Sequence, residues 1–123
     1  MYYLGGATMD IKKELSKGSS ALLVLSVLAD ADRYGYQIIK EIELRSEHVF
    51  SFKEGTLYPL LHNFERDGYL KSYWVQNAGE RKRKYYCITK KGLKVLAKSK
   101  EKWKSYSTAV NKVVTGSIVK SPV

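Results

Sequence analysis

The chain is poor in the residues that build covalent or metal-held scaffolds. It has one cysteine, Cys87, among 123 residues, which excludes an internal disulfide framework and a cysteine-based metal cage. Cys87 reads as a small strand residue, because nothing beside it in sequence would lower a thiol pKa. Histidines number two, His48 and His62, too few with that one thiol for a zinc site. No metal and no cofactor is expected. Clustered carboxylates, a Ser-His-Asp set and a phosphate-binding loop are all missing, so the chain does not read as an enzyme. Asp30, Asp32 and the Glu41/Glu43 pair show only helix-surface spacing. Long apolar runs are missing too. The longest, Ala21–Ala29, holds nine residues interrupted by Ser26, against about 20 for a membrane span. No basic n-region with a small-residue cleavage site marks a signal peptide. The expectation is a cytoplasmic protein with no membrane partner.

Acidic residues are scarce in one half only. Lys and Arg number 22 against 12 Asp and Glu, a formal net charge of +10. From Asp10 to Leu70 there are 8 basic and 10 acidic residues; from Lys71 to Lys112 there are 13 basic and 2 acidic. The first half resembles an ordinary globular surface, whereas the second is drawn to polyanions. With 44% hydrophobic and 28% charged residues, the chain has the composition of one folded domain, alone or with an appendage.

The apolar pattern divides it further. Asp10–Ala29 reads as a first helix, with Ile11, Leu15, Leu22, Leu25 and Val27-Leu28 on an apolar face and Gly18 weakening its start. Asp30-Ala31-Asp32-Arg33 reads as a loop holding a candidate N-cap. A second, shorter helix follows, with Tyr34, Ile38 and Ile42 spaced by four, ending near Ser46. Val49–Phe52 reads as a short extended stretch. A third helix runs from Glu54 or Gly55 to Asp67, with Leu57, Leu60, Leu61 and Phe64 as its buried stripe. Pro59 limits its upstream extent, and Gly68 is its natural C-terminal stop. Leu70–Val75 and Lys84–Thr89 read as the strands of a hairpin, rich in aromatic and β-branched residues, with a basic tip at Arg81-Lys82-Arg83-Lys84. Thr89 can cap a fourth helix from Lys90 to about Val114. On that helix Leu96, Trp103 and Val110 are seven apart, and Leu93, Tyr106 and Val113 form an alternate seam interrupted by Lys100, a short heptad pattern. Residues 1–9 are expected to form a disordered N-terminal extension, residues 10–89 one folded domain of helices and a hairpin, 90–114 a dimerisation helix and 115–123 a flexible tail.

Three helices, a hairpin with a basic tip and a long helix describe a winged helix-turn-helix, mainly α with a small β component (α+β): a two-stranded wing and a long C-terminal dimerisation helix. A helix about 12 Å across fits a major groove about 12 Å wide, and a basic hairpin beside it can reach phosphates. At about 100° per residue, the face of the third helix opposite its apolar stripe carries Gly55, Pro59, His62 and Arg66, with Tyr58 and Asn63 flanking. Glu54, Glu65 and Asp67 offset the helix's cations, so the electrostatic attraction is expected to come mostly from Arg81–Lys84 and nearby lysines.

The chain resembles the PadR family of transcriptional regulators, in its small type with a single C-terminal helix. The resemblance rests on Tyr34-Gly35-Tyr36-Gln37-Ile38, Glu54-Gly55-Thr56-Leu57-Tyr58-Pro59-Leu60-Leu61, Phe64-Glu65-Arg66-Asp67-Gly68-Tyr69-Leu70, Arg81-Lys82-Arg83-Lys84-Tyr85-Tyr86 and Ile88-Thr89-Lys90-Lys91-Gly92, in that order. It covers about Asp10 to Val114. It implies a bacterial homodimer that represses transcription at a double-stranded DNA operator with dyad symmetry and is released by a small aromatic or amphipathic effector. The expected DNA-binding residues are Tyr36, Gly55, Thr56, Tyr58, Pro59, His62, Asn63, Arg66, Arg81, Lys82, Arg83 and Lys84. The expected dimer interface is Leu93, Leu96, Trp103, Tyr106, Val110 and Val113, with Trp103 also the stacking partner of a flat effector. The competing reading, from charge alone, is a non-specific architectural or RNA-binding protein. The two differ in specificity: a repressor prefers its operator by about 10³ or more over random duplex.

Overall fold

The segment SALLVLSVLA has helix-length apolar content on every side, and it becomes the buried hub of the domain. The computed structural model describes residues 19–116. Helix α1 (Ser20–Ala29) packs against the second helix, the last helix and the sheet. Val24 and Leu25 are wholly buried, and Leu28 nearly so. Of the helix expected over Asp10–Ala29, residues 10–18 lie outside the described residues, as do the expected N-terminal extension over 1–9 and residues 117–123 of the expected tail.

Arg33, expected in the loop, and Tyr34, expected in the second helix, form a two-residue strand, β1. Helix α2 (Gly35–Arg45) therefore starts one residue later than its apolar spacing implies. Tyr34 is its extended N-cap, in place of an aspartate from the preceding loop, and Gln37 Oε1 accepts from the Tyr34 backbone N–H at 3.2 Å. Arg33 closes the α1–α2 corner. Its Nε donates to the Val27 carbonyl at 2.9 Å, and its guanidinium pairs with Asp30 and Glu41. Residues 46–53 contain no strand; the expected extended stretch is irregular, and it plugs Phe52 into the core.

Helix α3 (Glu54–Arg66) buries Leu57, Leu61 and Phe64, with Leu60 half-buried. Pro59 stands in its second turn, further in than the first-turn position it favours. The hydrogen bond it cannot make falls on the solvent side, at the Gly55 carbonyl. Gly68, at φ 84°, ends the helix. The Tyr69 N–H reaches back to the Phe64 carbonyl at 2.8 Å and the Gly68 N–H to Glu65 at 3.1 Å, the two bonds of a Schellman closure.

Strands β2 (Leu70–Val75) and β3 (Arg83–Ile88) pair antiparallel, with Tyr73 opposite Tyr85 and Trp74 opposite Lys84. β1 joins the other edge of β3, giving the order β1–β3–β2. The wing is thus the expected two-stranded hairpin, tied to the domain by a third, minimal strand. Thr89 Oγ1 accepts from the Gly92 N–H at 3.0 Å and donates to the Gly68 carbonyl at 2.6 Å, so one side chain starts α4 (Lys90–Thr115) and anchors it to the end of α3. Leu96 of α4 is 3% exposed against α1. That corrects its expected place on a seam between chains: it belongs to the core of the chain's own domain. Beyond Lys100, α4 is exposed for four turns among the described residues, Ser107 alone being half-buried.

Candidate nucleic-acid interface

The face of α3 opposite Leu57, Leu61 and Phe64 is open. Gly55, Thr56, Tyr58, Pro59, His62, Asn63 and Arg66 are all exposed, while Leu57 and Leu61 on the other side are wholly buried. This contrast is what an amphipathic helix with one free face produces. No atom lies within 4 Å of a Cβ placed on Gly55, so the first turn presents bare backbone. Arg66 is the cation of this face, and its Nε stands 3.3 Å from the Asp67 carboxylate, an exposed pair that an anion can displace.

Tyr58 and Tyr36 both stand at the start of α2. The Tyr58 ring lies over Gly35, close enough that any Cβ there would collide with it. Tyr36, the next residue, is 55% exposed, with Lys40 Nζ 5.5 Å from its ring. Two phenols thus flank an α-helix N-terminus closed by the Tyr34–Gln37 capping pair, and the polarity of such an end favours negative charge. Tyr34 is half-buried, edge-on to Tyr85.

The wing gathers cations around aromatic rings. Arg81 and Lys82 are exposed at its tip, and Arg83 and Lys84 are half-buried. The Arg83 guanidinium stacks 4.5 Å from the Tyr34 ring, on the sheet face that also holds Tyr73 and Tyr85. Lys84 belongs to the opposite face, 3.6 Å from Glu65 and 5.6 Å from the Tyr86 ring. Of the four expected wing cations, Arg83 is engaged by Tyr34 and Lys84 by Glu65 and Tyr86, while Arg81 and Lys82 are the exposed pair and Lys82 rests only on an exposed ring. Trp74, absent from the sequence-derived set, is 58% exposed with Lys82 Nζ 5.3 Å from its ring. Its signal in the sequence was a bulky aromatic next to the turn, where a strand outruns the core.

Two groups on the outer sheet face are shifted in pKa. The Tyr73 hydroxyl donates to Asp32 at 2.6 Å, and that bond pushes the phenol up to about 12. Burial, then the neighbouring Asp32, raises the Cys87 thiol, which agrees with an inert strand residue rather than a reactive thiolate. Among the described residues no group of three or more His, Cys, Asp or Glu could hold a metal ion, and no helix is long and apolar enough to cross a membrane.

The distal half of α4 carries the remaining candidates. Trp103, Tyr106, Val110 and Val113 are 51%, 64%, 38% and 82% exposed, and the Trp103 and Tyr106 rings lie 5.9 Å apart. Leu93, nearer the body, is 46% exposed.

Comparison with known proteins places this geometry. Among solved structures, a transcriptional regulator from Clostridium thermocellum is similar at 33% identity and a TM-score of 0.72, over 80% of this chain and 96% of that one. A PadR-like transcriptional regulator from Bacillus cereus is 29% identical with a TM-score of 0.73, over 84% and 98%. A PadR family transcription regulator from Clostridium difficile is 34% identical with a TM-score of 0.68, over 79% and 99%. The model of the transcriptional regulator PadR-like family matches residues 24–98, from the core of α1 through the wing to the part of α4 that packs on the body; the chain belongs to that family.

Proposed function

We propose that the chain works in the cytoplasm as a homodimeric repressor. Each protomer lays the Gly55–Arg66 face of α3 into a major groove, and the two face successive half-sites of an operator with dyad symmetry. The observation that carries this reading is the bare outer face of α3, with seven exposed residues backed by a wholly buried stripe. In that pose His62, Asn63 and Arg66 reach base edges or phosphate, and Tyr36 and Tyr58 reach the phosphates beside the α2 N-terminus. Arg81 and Lys82 supply cations to the next phosphates. Arg83 and Lys84 contribute after exchanging their present partners.

The dimer forms along the free half of α4. Trp103, Tyr106, Val110 and Val113 are apolar groups left exposed by the described residues, and Leu93 extends the seam toward the body. A second copy of α4 is the simplest cover, since an amphipathic helix gains stability by burying its stripe. A flat aromatic effector that stacks on Trp103 would then alter the spacing of the two α3 helices.

Footprinting of the duplex upstream of the chain's own gene tests the reading. The expected result is two protected half-sites related by a dyad and about 34 Å apart, one helical turn, with protection lost in Arg66→Ala and Tyr58→Ala. Uniform protection of any duplex, unaffected by those changes, would support a non-specific basic binder instead.

A further inference from the structure

Trp74 has no role in the interface assembled so far, yet its position is specific. Alternate residues of a strand share a face, so Leu70, Ser72 and Trp74 lie on the same side of β2. Leu70 is 1% exposed, and the Ser72 hydroxyl donates to Glu65 of α3. That side of the wing therefore looks at α3. Trp74 is two residues nearer the tip, past the last helix contact, and more than half its surface is open. Lys82 Nζ stands over its ring at 5.3 Å, and its register partner Lys84 is tethered to Glu65.

A large exposed indole flanked by ammonium groups suits a partner that alternates flat apolar surface with negative charge. A DNA strand has that character, with deoxyribose faces between phosphates. The hairpin from Leu70 to Thr89 carries five basic residues and one acidic, so its charge is complementary to that partner. We propose that Trp74 packs against the sugar face of the strand bordering the groove that α3 enters, while Lys82 holds an adjacent phosphate. The inference rests on the DNA-binding reading above and adds a non-ionic component to the wing's hold. Ion release makes phosphate contacts salt-dependent, whereas packing of an aromatic ring on a sugar does not release counterions.

The full chain contains two tryptophans, so the difference in emission between the unaltered chain and Trp74→Phe isolates Trp74 and leaves Trp103 in place. The test titrates both chains with the duplex upstream of the chain's own gene and, separately, with inorganic polyphosphate. The duplex is expected to quench and shift Trp74 emission and polyphosphate to leave it unchanged. In the otherwise unaltered chain, Trp74→Ala is expected to weaken duplex binding about tenfold, the scale of one aromatic stacking interaction. The slope of affinity against salt stays unchanged, and Trp74→Phe recovers most of the loss. Because the side chain is exposed, the melting temperature serves as a control that the fold is intact. Equal emission changes with both polyanions, or unaltered affinity in Trp74→Ala, would overturn the proposal. If duplex binding survives Trp74→Ala unaltered but is abolished by Arg66→Ala, the α3 reading stands and only the role of Trp74 falls. If the unaltered chain fails to bind duplex, both fall together.

Discussion

The Tyr58 hydroxyl lies 2.8 Å from the point where a Cβ on Gly35 would stand, with two ring carbons 3.0 and 3.1 Å away. A residue of the proposed reading helix is thus seated on the first residue of the helix behind it, and glycine at 35 is what makes the seat. Gly35→Ala is expected to leave the chain folded, since alanine suits a helix, while turning the Tyr58 ring aside and weakening duplex binding about tenfold. The check is a double-mutant cycle. In a Tyr58→Ala background, Gly35→Ala should cost nothing further, because the two changes act through one contact. Additive losses would mean that Gly35 acts by another route.

Gly92 predicts a different outcome. A Cβ there would drive into the backbone carbonyl of Tyr69 and against the Ile88 side chain, and a backbone group cannot swing away as a tyrosine ring can. Gly92→Ala is expected to cost about 3 kcal/mol, the upper end of the usual range for overpacking, and to lower the thermal midpoint by about 10 °C. Thermal unfolding followed by circular dichroism reads this directly. An unchanged midpoint would show that the α4–wing junction gives way at no cost.

The Tyr73–Asp32 bond makes stability depend on alkaline pH. The neutral phenol donates to the carboxylate, so the folded-state pKa, about 12, exceeds the ordinary 10.0. The bond's contribution is complete below pH 10 and is lost as pH rises toward 12. In Asp32→Asn the Tyr73 phenolate should appear at lower pH. The difference in 295 nm absorbance between the unaltered chain and Tyr73→Phe, each with and without Asp32→Asn, isolates that one group among ten tyrosines.

Val110→Asp with Val113→Asp tests the proposed dimer. These residues project from the body on the free half of α4, so burying two carboxylates there would penalise association without touching the core. Sedimentation velocity should show the unaltered chain at twice the mass of the double variant, with the same melting behaviour when both are monomeric. Equal masses would place the dimer elsewhere or remove it.

Neutralising the wing tip with Arg81→Ala and Lys82→Ala should weaken binding to all duplexes alike. For every phosphate no longer held, the slope of log affinity against log salt should become shallower by about 0.9. Arg83→Ala should change it less, because that guanidinium already stacks on Tyr34. A slope indifferent to Arg81 and Lys82 would remove the tip from the interface.

Much of the fold was legible because its signals are local. Leu57, Leu61 and Phe64 fall on one side of α3 by helical spacing alone, and the same arithmetic leaves Gly55, Pro59, His62 and Arg66 in solvent. Gly68 and Thr89 announce a helix end and a helix start through their own backbone and hydroxyl chemistry. The strand at Arg33-Tyr34 was not legible, because two residues carry no period and their pairing to Tyr85 and Tyr86 spans half the chain. Leu96 was misplaced for a related reason. A heptad spacing marks an apolar stripe on α4 but does not say where the stripe stops facing α1 and starts facing outward. Trp74 escaped because alternation in β2 identifies its face, whereas only the length of α3 decides that the face is uncovered there.

Fluorescence anisotropy tests the central claim most directly. The duplex upstream of the chain's own gene and a shuffled duplex of equal composition are titrated at three salt concentrations. A dimeric regulator should prefer the native duplex by about 10³ or more, saturate at two chains per site, and keep that preference as salt weakens both complexes. Equal and steeply salt-dependent binding to the two duplexes, with no fixed stoichiometry, would contradict it.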